Sequence, residues 1–148
     1  MARPFSKTAG GAGALNLGSG EDISGLKAHA VVTTGLSTAQ AGRFMGSLRI
    51  ISPQQFFETL GISERTFQRR AASKSKALDA NASDRALRLA SVLAQATKVL
   101  GSREAAERWL SAPAMALDRH KPIELLQSTD GTELVKTLLT RMDYGVYA

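Results

Sequence analysis

The segment PQQFFETLGISERTFQRR, residues 53–70, decides how this chain is read. Ser52 stands where a helix N-cap belongs, Pro53 suits the first helical position, and Gln55 completes a capping box. Phe56, Phe57 and Leu60 follow, and Gly61 stops the helix because glycine accepts the positive φ of a C-terminal turn. Ser63 caps again, and Glu64 favours the first turn of a second short helix. Two short helices across a tight glycine turn predict a helix-turn-helix, with Phe56, Leu60, Ile62 and Phe67 setting the angle between them.

That packing leaves Glu64, Arg65, Gln68 and Arg69 on the outer face of the second helix. Arginine suits guanine edges, glutamine suits adenine edges, and either can hold phosphate. Ser63, Glu64, Arg65, Thr66, Gln68, Arg69 and Arg70 are therefore the candidate DNA-contacting residues. The charge distribution agrees. The chain carries a net charge of +6. From Arg43 to Lys76 the bases are Arg43, Arg49, Arg65, Arg69, Arg70, Lys74 and Lys76, against Glu58 and Glu64 alone. From Asp118 onward the charges nearly cancel, so a polyanion would dock on the first half. A basic, merely solvated helical hairpin produces the same pattern. Two positions depart from the usual motif: Arg70 stands where an apolar residue is expected late in the second helix, and Phe57 where a small one is expected in the first. A base contact is worth only about 1–3 kcal/mol, so two copies on a palindromic site are expected.

The remaining sequence is helical in pattern. The chain has 148 residues, enough for one core or two small units that share an interface. Residues 1–20 are rich in Gly, Ala and Ser and read as a flexible leader. The segment from Ser24 to Val32 is ambiguous, since Val31 and Val32 favour a strand. Ser37 caps a helix from Leu36 to Leu48 with Ala39, Phe44, Met45 and Leu48 as its apolar stripe. A polar stretch, Ser73 to Ala82, precedes the longest helix, which Ser83-Asp84 opens and Gly101 closes. Ser102 starts another that holds Trp109 and Leu110, Pro122 to Leu126 forms a short one, and Thr129 or Asp130 begins the last. Its expected core stripe is Leu134, Val135, Leu138, Leu139 and Met142. The expected fold is all-α, with a helix-turn-helix unit over 21–80 and a compact helical unit over 81–148.

Several function classes drop away. The chain has no cysteine, and its two histidines, His29 and His120, lie far apart, so neither a disulfide nor a metal site is expected. No apolar run reaches membrane-spanning length, and a cytoplasmic location is expected. No Ser-His-Asp set, phosphate loop or paired-carboxylate site suggests an enzyme or a cofactor. The loop Asp118, Arg119, His120 and Lys121 is a polar cluster best explained as a turn before Pro122, and Trp109 reads as a core anchor.

A resemblance carries the reading further. Residues 60–70 (LGISERTFQRR), 83–89 (SDRALRL), Ala106-x-x-Trp109-Leu110-x-x-Pro113, 122–126 (PIELL) and the ending 141–148 (RMDYGVYA) resemble, in that order, the Xre/MbcA/ParS family of antitoxins. The resemblance covers roughly Leu36 to the C-terminus. It implies a non-enzymatic antitoxin of a type II system, encoded beside a RES-domain toxin that consumes NAD. The first half would bind the operon promoter, the second would grip the toxin, and homodimerisation is expected. The resemblance also implies that the C-terminus plugs the toxin's NAD cleft, making Arg141, Asp143, Tyr144, Gly145, Val146, Tyr147 and Ala148 the candidate toxin-binding residues. Tyr144 and Tyr147 offer flat apolar faces with polar tips, Gly145 permits close approach, and the terminal carboxylate can pair with a basic group. The competing reading is a stand-alone dimeric helix-turn-helix regulator, which should lose nothing when the tail from Tyr144 onward is removed.

Overall fold

Most helices begin where a small polar side chain accepts a hydrogen bond from the backbone two or three residues on. The computed structural model describes residues 25–145. Its helices are α1 (Gly25–Thr34), α2 (Thr38–Ser47), α3 (Pro53–Leu60), α4 (Glu64–Ala72), α5 (Ala80–Leu100), α6 (Arg103–Leu110) and α7 (Thr129–Asp143). Two 3₁₀ segments, Met115–Leu117 and Pro122–Gln127, lie between α6 and α7. Ser37 and Ser52 form reciprocal capping boxes with Gln40 and Gln55, while Ser63, Asp79, Ser102 and Ser128 cap α4, α5, α6 and α7. The fold is all-α. Strand-like pairing among the described residues amounts to one isolated antiparallel bridge, Ser37 with Ala77. The leader over 1–20 lies outside the described residues.

Four local readings change. The ambiguous segment is helical: α1 lies on α5 and Val32 packs against the core, so tertiary burial overrides the β-preference of valine. The long helix starts three residues before Ser83, with Asp79 as its cap. Ser83 is instead buried in the helix, where its Oγ accepts from Leu36 N–H at 2.8 Å and donates to the Leu78 carbonyl at 3.4 Å. A capping residue type was thus used to satisfy the backbone of the α1–α2 connection. On α2, Ala39 is exposed and Ala41 takes the inner position beside Phe44. Leu134 likewise leaves the expected stripe of α7, at 58% exposure, while Val135, Leu138 and Leu139 are buried.

One core runs through the described residues. It links Leu36, Phe44 and Phe56 of the first half to Leu89, Val92 and Leu93 on α5, and then to Leu110, Leu126, Val135 and Leu139. α5 is its axis, packed by α1, α3, α6, α7 and the second 3₁₀ segment. Arg88 ties α5 to the second half: it donates to the Leu126 carbonyl at 3.2 Å and to Thr129 Oγ1 at 3.1 Å, and pairs with Asp84 at 2.7 Å. Gly131 lets α7 approach the second 3₁₀ segment, since a Cβ there would run into the Leu125 carbonyl oxygen. No described helix is long and apolar enough to cross a membrane.

Candidate functional site

Aromatic side chains fix the helix-turn-helix. Phe44 of α2 meets Phe56 edge-on at 5.7 Å, Phe56 meets Phe57 at 5.7 Å, and Phe57 meets Phe67 of α4 at 5.3 Å. Such contacts prefer tilted or edge-to-face geometry at this spacing. Phe57, which departs from the usual motif, is therefore the ring on which the second helix rests. Gly61 between the helices adopts φ +76°, ψ 24°, and a Cβ at this position would collide with the Arg85 guanidinium. The turn thus demands glycine for its left-handed backbone, and a side chain there would also push the Arg85 guanidinium aside.

α4 splits into two faces. Thr66, Phe67 and Arg70 are half-buried, whereas Glu64, Arg65, Gln68 and Arg69 are exposed together on the outer side. Ser63 and Thr66 are occupied by capping: Ser63 Oγ accepts from Thr66 N–H at 3.0 Å and donates to Thr66 Oγ1 at 2.9 Å. Gln68 donates to Glu64 Oε2 at 3.2 Å across one helical turn. Arg70 turns toward Asp79, the cap of α5, at 3.9 Å. The motif tolerates arginine there because the side chain leans across to an acidic partner and leaves the core to Phe67. Arg65 and Arg69 project from the outer face with Gln68 between them along the chain, an arrangement suited to phosphates and base edges.

The second half ends on a different chemistry. Arg141, Asp143, Tyr144 and Gly145 are exposed around the end of α7, with Tyr144 at 77% exposure. Val146, Tyr147 and Ala148 lie outside the described residues. Trp109 is half-buried rather than enclosed, and edges a groove of roughly 270 Å³ with Met115, Leu138 and Met142. A polar cleft of roughly 380 Å³ lies where α3 meets the second 3₁₀ segment, lined in part by Glu58, His120, Lys121 and Glu124. No group of His, Cys, Asp or Glu suited to a metal ion occurs among the described residues.

Two residues were not singled out by the sequence reading. Arg85 is one, placed by α5 against the helix-turn-helix turn. Glu107 is the other. It sits on α6 at 0% exposure, and its Oε1 accepts from the backbone N–H groups of Arg49, Ile50 and Ile51 at 2.9, 2.8 and 3.0 Å. Its second oxygen lies 3.9 Å from Arg103 Nε, and Arg103 also donates to Ser47 Oγ at 2.9 Å. One carboxylate thereby gathers the connection between α2 and α3 and ties it to the second half. Helical spacing from Arg103 and Ala106 to Leu110 puts Glu107 on the inner side of α6, and that was the available signal.

A helix-turn-helix with a basic outer face, joined through one core to a helical module ending in an exposed aromatic, is a two-part binding protein. Residues 28–91 match the family model described as the antitoxin Xre-like helix-turn-helix domain. Residues 95–145 match the one described as the antitoxin Xre/MbcA/ParS C-terminal toxin-binding domain. Together the matches span most of the chain, which belongs to the Xre/MbcA/ParS antitoxin family. No curated protein matches the chain. Its two ligand classes are accordingly DNA and a protein toxin.

Proposed function

We propose that this antitoxin neutralises a RES-domain, NAD-consuming toxin by inserting its C-terminal segment, Arg141 to Ala148, into the toxin's active site. As a homodimer it also represses its own operon, with α4 as the reading helix. In this reading residues 21–80 form the DNA-reading unit and residues 81–148 the toxin-gripping unit. The observation that carries it is the end of α7. The toxin-binding match extends to Gly145, where Arg141, Asp143 and Tyr144 stand exposed at the end of α7. An aromatic so displayed is suited to fill a pocket on a partner, and the flanking charges suit the rim of an anion-binding cleft. The test is co-expression with the RES-domain protein encoded beside it, using the full chain and a chain ending at Asp143. Rescue of growth and cellular NAD by the full chain alone is the expected result. Rescue by both removes the plug, and rescue by neither removes the RES-directed antitoxin reading.

A further inference from the structure

We infer that the toxin is held by a second, apolar surface independent of the tail: the groove between Trp109, Met115, Leu138 and Met142, with the rim residue Met115 as its anchor. This rests on the antitoxin reading above and names a further part of its interface.

The groove is lined by residues with apolar side chains, from α6, the connection after it, the first 3₁₀ segment and α7. It differs in this from the polar cleft beside α3, whose mixed charges select nothing in particular. Met115 is 76% exposed at the rim of this apolar lining, so its side chain is available to a partner. It is also held firmly. Arg119 N–H donates to the Ala114 carbonyl at 2.9 Å, Ala114 N–H donates to the His120 carbonyl at 3.1 Å, and Asp118 N–H donates to the Met115 carbonyl at 3.2 Å. Closing this turn requires two successive non-glycine residues, Asp118 and Arg119, at φ +54° and +65°. These bonds and the two left-handed residues fix the turn that follows Met115.

Leu138 and Met142, one turn apart on α7, form the wall of the groove that runs toward Tyr144, where the proposed plug begins. Leu134, one turn before Leu138, adds an exposed apolar side chain beyond the groove's lining. The occupant follows from that continuity. The groove falls inside residues 95–145, the part matched as toxin-binding. Toxin binding is a property of this folded surface as well as of the tail. An aliphatic or aromatic side chain of the toxin fits it, since the lining offers no charge and methionine adapts to irregular apolar shapes.

The experiment uses the full chain and a catalytically inactive form of the RES-domain protein encoded beside it. Binding is measured by calorimetry for the wild type, Met115→Glu, Leu134→Glu and Met115→Leu. Both replaced side chains are exposed, so unchanged circular dichroism is expected and serves as the folding control. The expected result is at least a tenfold weaker Kd for Met115→Glu with the tail intact, and a change under about threefold for Met115→Leu. Binding of Met115→Glu within twofold of wild type overturns the groove while leaving the antitoxin reading in place. Absence of binding by the wild type overturns the antitoxin reading, and the groove with it. Sedimentation of the free chains adds a third arm: loss of self-association in Met115→Glu with toxin binding retained would assign the groove to a second copy and overturn the proposal.

Discussion

Replacing Glu107 with alanine should be among the most damaging single changes to this protein, although the residue lies on neither candidate binding surface. Its Oε1 receives three backbone N–H groups, of Arg49, Ile50 and Ile51, at 2.8–3.0 Å. Hydrogen bonds to a charged group contribute about 1.5–3 kcal/mol each, but these three share one oxygen and do not add fully. On truncation, water can reach the exposed Arg49 and the half-buried Ile50, whereas Ile51 is 2% exposed and its N–H is stranded. Arg103, 3.9 Å away, also loses its ion-pair partner. Leaving a buried donor unsatisfied costs about 1–3 kcal/mol and more where its acceptor was charged, a large share of the roughly 5–15 kcal/mol that holds a domain together.

Glu107→Gln separates geometry from charge. Glutamine keeps an acceptor oxygen in nearly the same place but presents an amide to Arg103, so the loss should be about 1–3 kcal/mol. Urea titration followed by far-ultraviolet circular dichroism and by tryptophan fluorescence measures both. Trp109 is the sole tryptophan and lies two residues from Glu107, so its emission reports on α6 itself. Coincident transitions in the order wild type, Gln, Ala are expected. A loss below about 1 kcal/mol for Glu107→Ala would refute the argument that this carboxylate stitches the two halves.

Other consequences are more local. Gly131→Ala should destabilise by about 1–3 kcal/mol despite alanine's better helix propensity, because the added Cβ displaces the Leu125 carbonyl; thermal denaturation checks it. Gly61→Ala should cost about 1–2 kcal/mol through its left-handed φ, with Arg85 also forced aside, and should weaken operator binding in gel-shift titrations beyond any loss of fold. Arg65→Ala and Arg69→Ala should leave the melting temperature within a degree or two and weaken operator binding. A contact to base edges would cost about 1–3 kcal/mol for the specific site alone, while a phosphate contact would lower the salt-dependence slope by about one.

Much of the fold was legible because local rules and tertiary needs agree. Ser37, Ser52, Ser63, Gly61 and Gly101 cap or close helices as their chemistry dictates, and the periodicity of residues 86–100 marked α5 as central. The misreadings share one cause, a side chain whose partner is distant in sequence. Ser83 looks like a cap, but a backbone N–H 47 residues away claims its hydroxyl. Leu134 fits a core stripe by spacing, yet no described element covers it. Glu107 was not singled out, because the loop it holds lies 56–58 residues earlier. At the candidate sites, the sequence named the outward residues of α4 directly, because solvent exposure follows from helical period. The ion pair of Arg70 with Asp79 and the approach of Arg85 to the turn depend on how α5 lies across the motif, and no period encodes that.

The two functions share one folded body, and that constrains how they can influence each other. The boundary between the matched domains falls within α5, between residues 91 and 95, and the core passes through it without a break. A toxin bound at the far end therefore stabilises the whole chain by mass action, by about 2.7 kcal/mol at a hundredfold excess over Kd. Stability alone does not alter DNA affinity. For that, the toxin must distinguish between two arrangements of the reading helix. Glu107 opposes such an arrangement: it grips Ile51, immediately before the cap of α3, and the phenylalanine contacts carry that position to α4. If the chain represses its operon as proposed, the route left for toxin binding to affect repression is the number and spacing of antitoxin copies on the operator. A deformed reading helix is the route this structure resists.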